Sequence, residues 1–446
     1  MRRDTRASTV DRSGVPLLGS VHRIAHDPLE FLGEAREYGD LMGYRVLRDR
    51  AHVVVHPDAV RTVLVDRDDA FRKGSMIRRQ TGTLLGKGIF LAEGDDWRGQ
   101  RTTMQPAFYR EQVAAYGDVM VDHAASTAAG WEDGEVVDVA AAARDLTLGV
   151  LVEALFGLSP GEDRELVARA AEAIATRFDS RRVASFLPDW LPTPTNVRYR
   201  RAMGDLRARL DEIIAERRAA VEAGELPGTD LLSILVTATD EGGMDDDTLR
   251  DNLVTFLFAG HETSAIALAC ALHALATHPD EQATAADRVA AFGDPAADPA
   301  AASERDALEA IDRVIDEALR LYPPVYIFFR EPVEDVEIRG HRIPAGSTLS
   351  LSPWTCQRDP RWWDEPDAFR PGRWVGGSDR PEYAYFPFGG GPRACIGARF
   401  ARLELRLVLA TLLSRYRFEP VTGELSFAPS ANLRPDGSVR LRVHGR

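Results

Sequence analysis

The chain has 446 residues, 44% of them hydrophobic, and a formal net charge of −14. Its length allows one large unit or about three ordinary domains. The acidic balance favours solubility and excludes general nucleic-acid binding, which needs a basic surface. Three cysteines, Cys270, Cys356 and Cys395, are too few and too scattered for a disulfide framework or a zinc site. A reducing, cytoplasmic setting is therefore expected. The charged start, Met1-Arg-Arg-Asp-Thr-Arg6, runs into no apolar stretch, so neither a secretory signal nor an N-terminal membrane anchor is expected.

In chain order, a β-rich part is expected over about 16–66. It has strand-like runs at Met42–Leu47 and His52–Val55, then a helix from Pro57 to Val65. From Arg72 to Lys87 no period is evident and glycines punctuate the stretch, which predicts a long loop. Trp97 and Arg101 fall one turn apart on one helix face; an ordinary amphipathic helix would look the same. Residues 136–158 predict a buried helix ending at Gly157. Two long helical patterns, 161–180 and 197–224, flank the Pro-rich segment Phe186–Asn196, whose apolar tip (Phe186, Leu187, Trp190, Leu191) suits either a mobile entrance or a loop packed on its own core.

Asp245–Asp247 give acidic residues for a helix start. The following run, Asn252–Ala276, is long enough to cross a membrane. Gly260-His-Glu-Thr-Ser264 places charge in mid-span, which lipid disfavours, so a helix through a protein core is expected. Thr255, Ala259 and Thr263 share a face. Small Ala259 and Gly260 leave space for a flat cofactor or its ligand, and Glu262 and Thr263 put an acid beside an alcohol. A threonine bonded back to its own helix and a paired Glu remain the structural alternative. Residues 283–310 read as helical pieces with a surface loop.

Glu317 and Arg320 lie a turn apart before Pro323-Pro324 stops the helix, a common pattern on solvated faces. The stretch Phe388-Gly-Gly-Gly-Pro-Arg-Ala-Cys-Ile-Gly397 places Cys395 in a glycine-rich turn ahead of a helix starting near Ala398. Helix-start N–H groups favour thiolate over thiol, and a thiolate can ligate a metal. From Tyr385 to Arg417 there are six arginines and one acid, Glu404, a local balance of +5. Arg399, Arg402 and Arg406 are expected on one face, either as a docking surface for an acidic partner or as a solvated helix face.

The spacing Phe388-x-x-Gly391-x-Arg393-x-Cys395-x-Gly397 resembles the haem-binding signature of the cytochrome P450 family, the haem-thiolate monooxygenases. Ala259-Gly260-x-Glu262-Thr263 resembles the family's oxygen-activation motif, and Glu317-x-x-Arg320 with Phe369-x-Pro371-x-Arg373 resembles its scaffold clamp. Trp97-x-x-x-Arg101 resembles its propionate-binding helix.

The resemblance covers nearly the whole chain. It implies a single, mainly α domain with a smaller β-rich part, a triangular helical prism. It implies haem b (iron protoporphyrin IX) with Cys395 as iron ligand donating electron density. Trp97, Arg101, Arg330 and Arg393 are the implied propionate contacts, with Ala259, Phe388 and Gly397 beside the cofactor. Glu262 and Thr263 handle protons. Phe256, Ile327 and Phe328 line a pocket for a hydrophobic substrate, terpenoid or fatty-acid-like. Stretch 72–87 roofs the pocket and Ser430–Pro435 reaches into it.

A network of Glu317, Arg320 and Arg373 fixes the cysteine loop. Gln357 stands where the family often has His, which puts a propionate contact there in doubt. Dioxygen is the implied oxidant. The chain ends soon after Cys395, so electrons are expected from a separate ferredoxin or flavodoxin with its reductase. The alternatives are a peroxide-driven enzyme of the same fold and a non-catalytic haem-bound sensor or carrier.

Overall fold

The computed structural model describes residues 9–10, 19–47, 49–157, 162–177, 190–224, 230–240, 243–293, 308–376 and 379–446. The chain divides into two compact units, each built from two stretches: 1–80 with 316–395, and 81–315 with 396–446.

The first unit holds a six-stranded sheet. Its order is Thr9–Val10, Leu41–Val46, Asp49–Val54, Thr348–Leu351, Phe328–Pro332, Phe71–Arg72. Leu41–Val46 and Asp49–Val54 form an antiparallel hairpin, and Asp49–Val54 then pairs in parallel with Thr348–Leu351. Strand 328–332 pairs antiparallel with 348–351, Phe328 opposite Leu351 and Arg330 opposite Leu349. Buried aliphatics from these strands and from helix Pro57–Arg61 make one core with Tyr383 and Phe386, which lie just ahead of the cysteine loop. The β-rich part expected over 16–66 is thus completed by strands almost 300 residues downstream.

The second unit is mostly helical. Its centre is the helix Asp246–Thr277, started by Asp245, whose side chain accepts from the Thr248 N–H. Among the described residues this is the one helix apolar and long enough to cross a membrane, yet 78% of its most apolar window lies buried inside the protein. Apolar residues all round it are what a core-crossing helix needs. It packs on helix Val139–Phe156, which ends at Gly157 in the left-handed conformation, as the sequence leads one to expect. At their contact a Cβ on Gly260 would lie 2.6 Å from Leu151 Cδ1. Gly260 is therefore small because Val139–Phe156 packs there.

The long loop expected from Arg72 to Lys87 is a strand residue followed by a helix, Ser75–Leu85. The Glu331 carboxylate receives the Ser75 N–H at 2.9 Å, satisfying one of its otherwise orphaned first-turn donors. Leu84 and Leu85 are fully buried. After it, the turn at 86–89 is tied to the central helix. Lys87 N–H donates to Asp251 (2.8 Å) and Ile89 N–H to Asn252 (2.7 Å), while a Cβ on Gly88 would lie 2.5 Å from Thr255 Oγ1. The flanking helices of the Pro-rich segment are Glu162–Arg177 and Pro194–Glu222. Phe186 and Leu187 lie outside the described residues, and Trp190 is 73% exposed.

Candidate functional site

Candidate site residues occur in both units. In the first, the cysteine loop is fastened from both sides. Cys395 N–H donates to Phe388 O (2.9 Å), closing the loop, and Ala394 N–H donates to Gly391 O (3.0 Å). Gly389 and Gly391 have φ of +72° and +65°, a region costly for side-chain-bearing residues. A Cβ on Gly391 would also collide with the Leu64 carbonyl oxygen. The glycines thus let the loop lie directly on the backbone near Leu64. Cys395 is exposed at its tip, whereas Cys270 and Cys356 are buried. Burial pushes the Cys270 thiol up to about 12 and Cys356 higher still, keeping both as inert thiols.

The same unit holds a buried ionic network. Glu317 and Arg320 are fully buried and bonded through two contacts, 2.8 and 3.0 Å. Glu317 also receives Arg373 Nε (2.9 Å), Trp374 Nε1 (2.9 Å) and the Arg370 N–H (2.9 Å). Arg320 spends its remaining donors on the carbonyls of Gln357, Pro366 and Ala368. Charges this deep are tolerable only when every donor and lone pair is answered.

Gln357, also fully buried, extends the network: its amide donates to Leu319 O and Arg320 O, and its oxygen accepts from Phe386 N–H at 3.1 Å. With both amide groups engaged inside the protein, Gln357 serves the scaffold. The side chain carries the clamp's position to the start of the cysteine loop. Sequence reasoning missed that role because none of the partners is local.

Arg330 is 8% exposed on its strand, with Nη1 donating to Phe329 O at 2.9 Å. Arg393 sits half-buried in the turn before Cys395. Ile327 and Phe328 are half-buried, Phe328 against Phe386 with centroids 6.2 Å apart.

In the second unit, Trp97 and Arg101 lie half-buried one turn apart on helix Gly94–Met104. Over 252–276 the central helix is buried except at a window. Ala259 is exposed, and Phe258, Gly260 and Thr263 are partly so, between wholly buried residues at 252–257 and 264–276. A core stretch opened there fits a flat group laid against it. Phe256 is 7% exposed and stacked on Phe108, centroids 5.5 Å apart. Thr263 Oγ1 donates to Ala259 O at 2.8 Å, and Glu262 is held by Asn432 and Arg434. His261 is buried with Nδ1 bonded to Leu257 O, and burial lowers its pKa.

Helix Ala398–Arg415 follows the cysteine loop. Its expected basic face is smaller than the sequence suggests. Arg399 is exposed and Arg402 half-buried, but Arg406 pairs through two bonds (2.7 and 2.8 Å) with Asp312 and its side chain is 11% exposed. Asp312 lies outside the window in which the charges balance to +5, so the sequence count overstated the patch.

On the same helix Glu404 is 2% exposed, beside Ser264, and burial pushes its carboxyl up to about 8 from an ordinary 4.5. The folded chain therefore holds a proton that the unfolded chain releases. The stabilisation is complete below the unfolded value and fades as pH rises through about 8. Glu404→Gln, which cannot ionise, is expected to lose less denaturant resistance than the parent between about pH 5 and 8. Parallel pH profiles of the two guanidinium midpoints would count against this.

The model of the family described as Cytochrome P450 matches residues 11–436. The chain is 34% identical over 430 residues to pentalenene oxygenase of Streptomyces avermitilis, covering 94% of this chain and 92% of that protein. It is 36% identical over 422 residues to cyclooctat-9-en-7-ol 5-monooxygenase of Streptomyces melanosporofaciens, covering 92% and 89%. Among solved structures, the cytochrome P450DA heme domain superposes with a TM-score of 0.86 at 26% identity, covering 99% of this chain and 98% of that one.

Proposed function

Because the chain belongs to the cytochrome P450 family, and is thus a haem b-dependent monooxygenase that takes electrons from a redox partner and acts on a hydrophobic substrate, we propose that Cys395 is its haem ligand and a cyclic terpenoid its substrate. The observation that carries the ligand assignment is the Cys395 loop: one exposed thiol on a backbone-bonded turn, with the other two cysteines buried. Bound haem b supplies the reductive activation of dioxygen and the insertion of one oxygen atom into a C–H bond.

The chain's own residues bind, orient and move protons. Trp97, Arg101, Arg330 and Arg393 would hold the propionates, arginine being suited to carboxylates by its permanent charge and directed donors. Phe388 and Gly397 would lie at the loop ends, with Ala259 in the helix window. Thr263 and Glu262 would pass protons inward. Phe256, Ile327 and Phe328 would give the substrate an apolar wall. Since the family match runs through both units, we read the chain as one catalytic domain, working in the cytoplasm. Two relatives are named for oxidising cyclic terpenoids, pentalenene oxygenase and cyclooctat-9-en-7-ol 5-monooxygenase, which supports the substrate class.

An acidic ferredoxin or flavodoxin is the proposed electron donor, docking on Arg399 and Arg402. Reversing both to Glu is expected to slow haem reduction by about tenfold or more at low salt while leaving substrate affinity unchanged. Stopped-flow reduction with a ferredoxin checks this, and an unaltered rate removes the docking surface.

The substrate reading is tested by titrating the haem spectrum with cyclic sesquiterpenes and diterpenes, then measuring NADH- and ferredoxin-dependent product. A spectral shift and a hydroxylated terpene are expected. Shifts with fatty acids alone would overturn it.

A further inference from the structure

Glu262 brings a charge into the buried middle of the central helix, where its side chain is 10% exposed. A carboxylate there needs partners. Both oxygens find them in one place, the hairpin of Phe427–Pro429 and Leu433–Pro435. Asn432 Nδ2 donates to Oε2 at 3.0 Å, and the Arg434 guanidinium pairs with Oε1. Leu433 between them is fully buried, and Ser430 N–H and Oγ donate to Asn432 O to close the turn. Thr263, the next residue along the helix, is bonded to Ala259 O. Acid and alcohol are neighbours in sequence but hold separate partners.

A carboxylate whose two oxygens both accept from charged or amide donors is a poor proton carrier until one is released. The Arg434 side chain is 33% exposed, so this contact is the one able to open. We propose that the hairpin is a latch on Glu262, with Asn432 and Arg434 as its positioning residues. Closed, it holds both carboxylate oxygens on Asn432 and Arg434. Open, one oxygen takes a proton from solvent hydronium, leaving water, and hands it to Thr263 Oγ1. The hydroxyl passes its own proton onward, so the pair ends the cycle unchanged. The latch rests on the proton-handling role proposed above for Glu262 and Thr263.

Two measurements on the holoprotein test it. In Glu262→Gln, hydrogen exchange at the amides of residues 430–434 is expected to quicken by about tenfold, because the hairpin loses its ionic anchor. Unchanged exchange would overturn the latch without any reference to turnover.

In Arg434→Gln the ligand-induced spectral shift is expected to persist. The solvent isotope effect on product formation should rise by about twofold, because proton transfer and no longer latch opening limits the step. Arg434→Lys should restore the parent value. A parental isotope effect in Arg434→Gln, with the spectral shift intact, would sink the proposal. Absence of turnover in the parent protein with every substrate would instead indict the monooxygenase reading, and the exchange measurement would still decide the latch.

Discussion

Glu317→Ala is expected to abolish accumulation of the folded holoprotein. The substitution strands the Arg320 guanidinium, fully buried, without its counter-charge. Removing one partner of a buried ion pair costs about 3–5 kcal/mol, against about 5–15 kcal/mol of total stability in a typical protein. The same change orphans Arg373 Nε, Trp374 Nε1 and the Arg370 N–H. Because Arg320 carries Gln357 and Gln357 carries Phe386, the damage runs to the base of the cysteine loop. Glu317→Gln keeps the shape and two acceptor lone pairs, so it should be milder. Denaturant midpoints and haem content per chain check both. An alanine variant with parental midpoint and full haem would show that the network does not support the loop.

Cys395→Ser is the second expected large effect, and a different one. The loop's shape comes from glycine backbone and from the bond between Cys395 N–H and Phe388 O, neither of which involves sulfur. Freed of haem, the variant should therefore have an unfolding free energy within about 0.5 kcal/mol of the haem-free parent, as surface changes usually do. It should nevertheless lose the red-shifted absorbance of the reduced, carbon-monoxide-bound form, which depends on a thiolate ligand. A retained shift would mean that another residue ligates the iron.

Much of this was legible in the sequence where the cause is local. The apolar run and acidic start of 245–276 announce a buried helix, Gly157 announces its neighbour's end, and the glycines before Cys395 announce a constrained turn. The rest depends on partners far along the chain. Helix Ser75–Leu85 is masked by glycines and capped by Glu331, 256 residues on. Glu262 is answered by Asn432, 170 residues away, and Arg406 by Asp312, 94 residues away. That Gly260 meets Leu151, more than 100 residues earlier in the chain, is likewise invisible locally. Helical period and composition carry no information about which side chain arrives from elsewhere.

The central claim is that the haem-bound protein splits dioxygen between substrate and water using electrons from a partner protein. The most direct measurement is turnover of a substrate found by spectral shift, with NADH, ferredoxin and its reductase, under isotopically labelled dioxygen. One labelled oxygen atom in each hydroxylated product molecule is the expected result. Product whose oxygen comes from water, or that forms only when hydrogen peroxide is added, would contradict it.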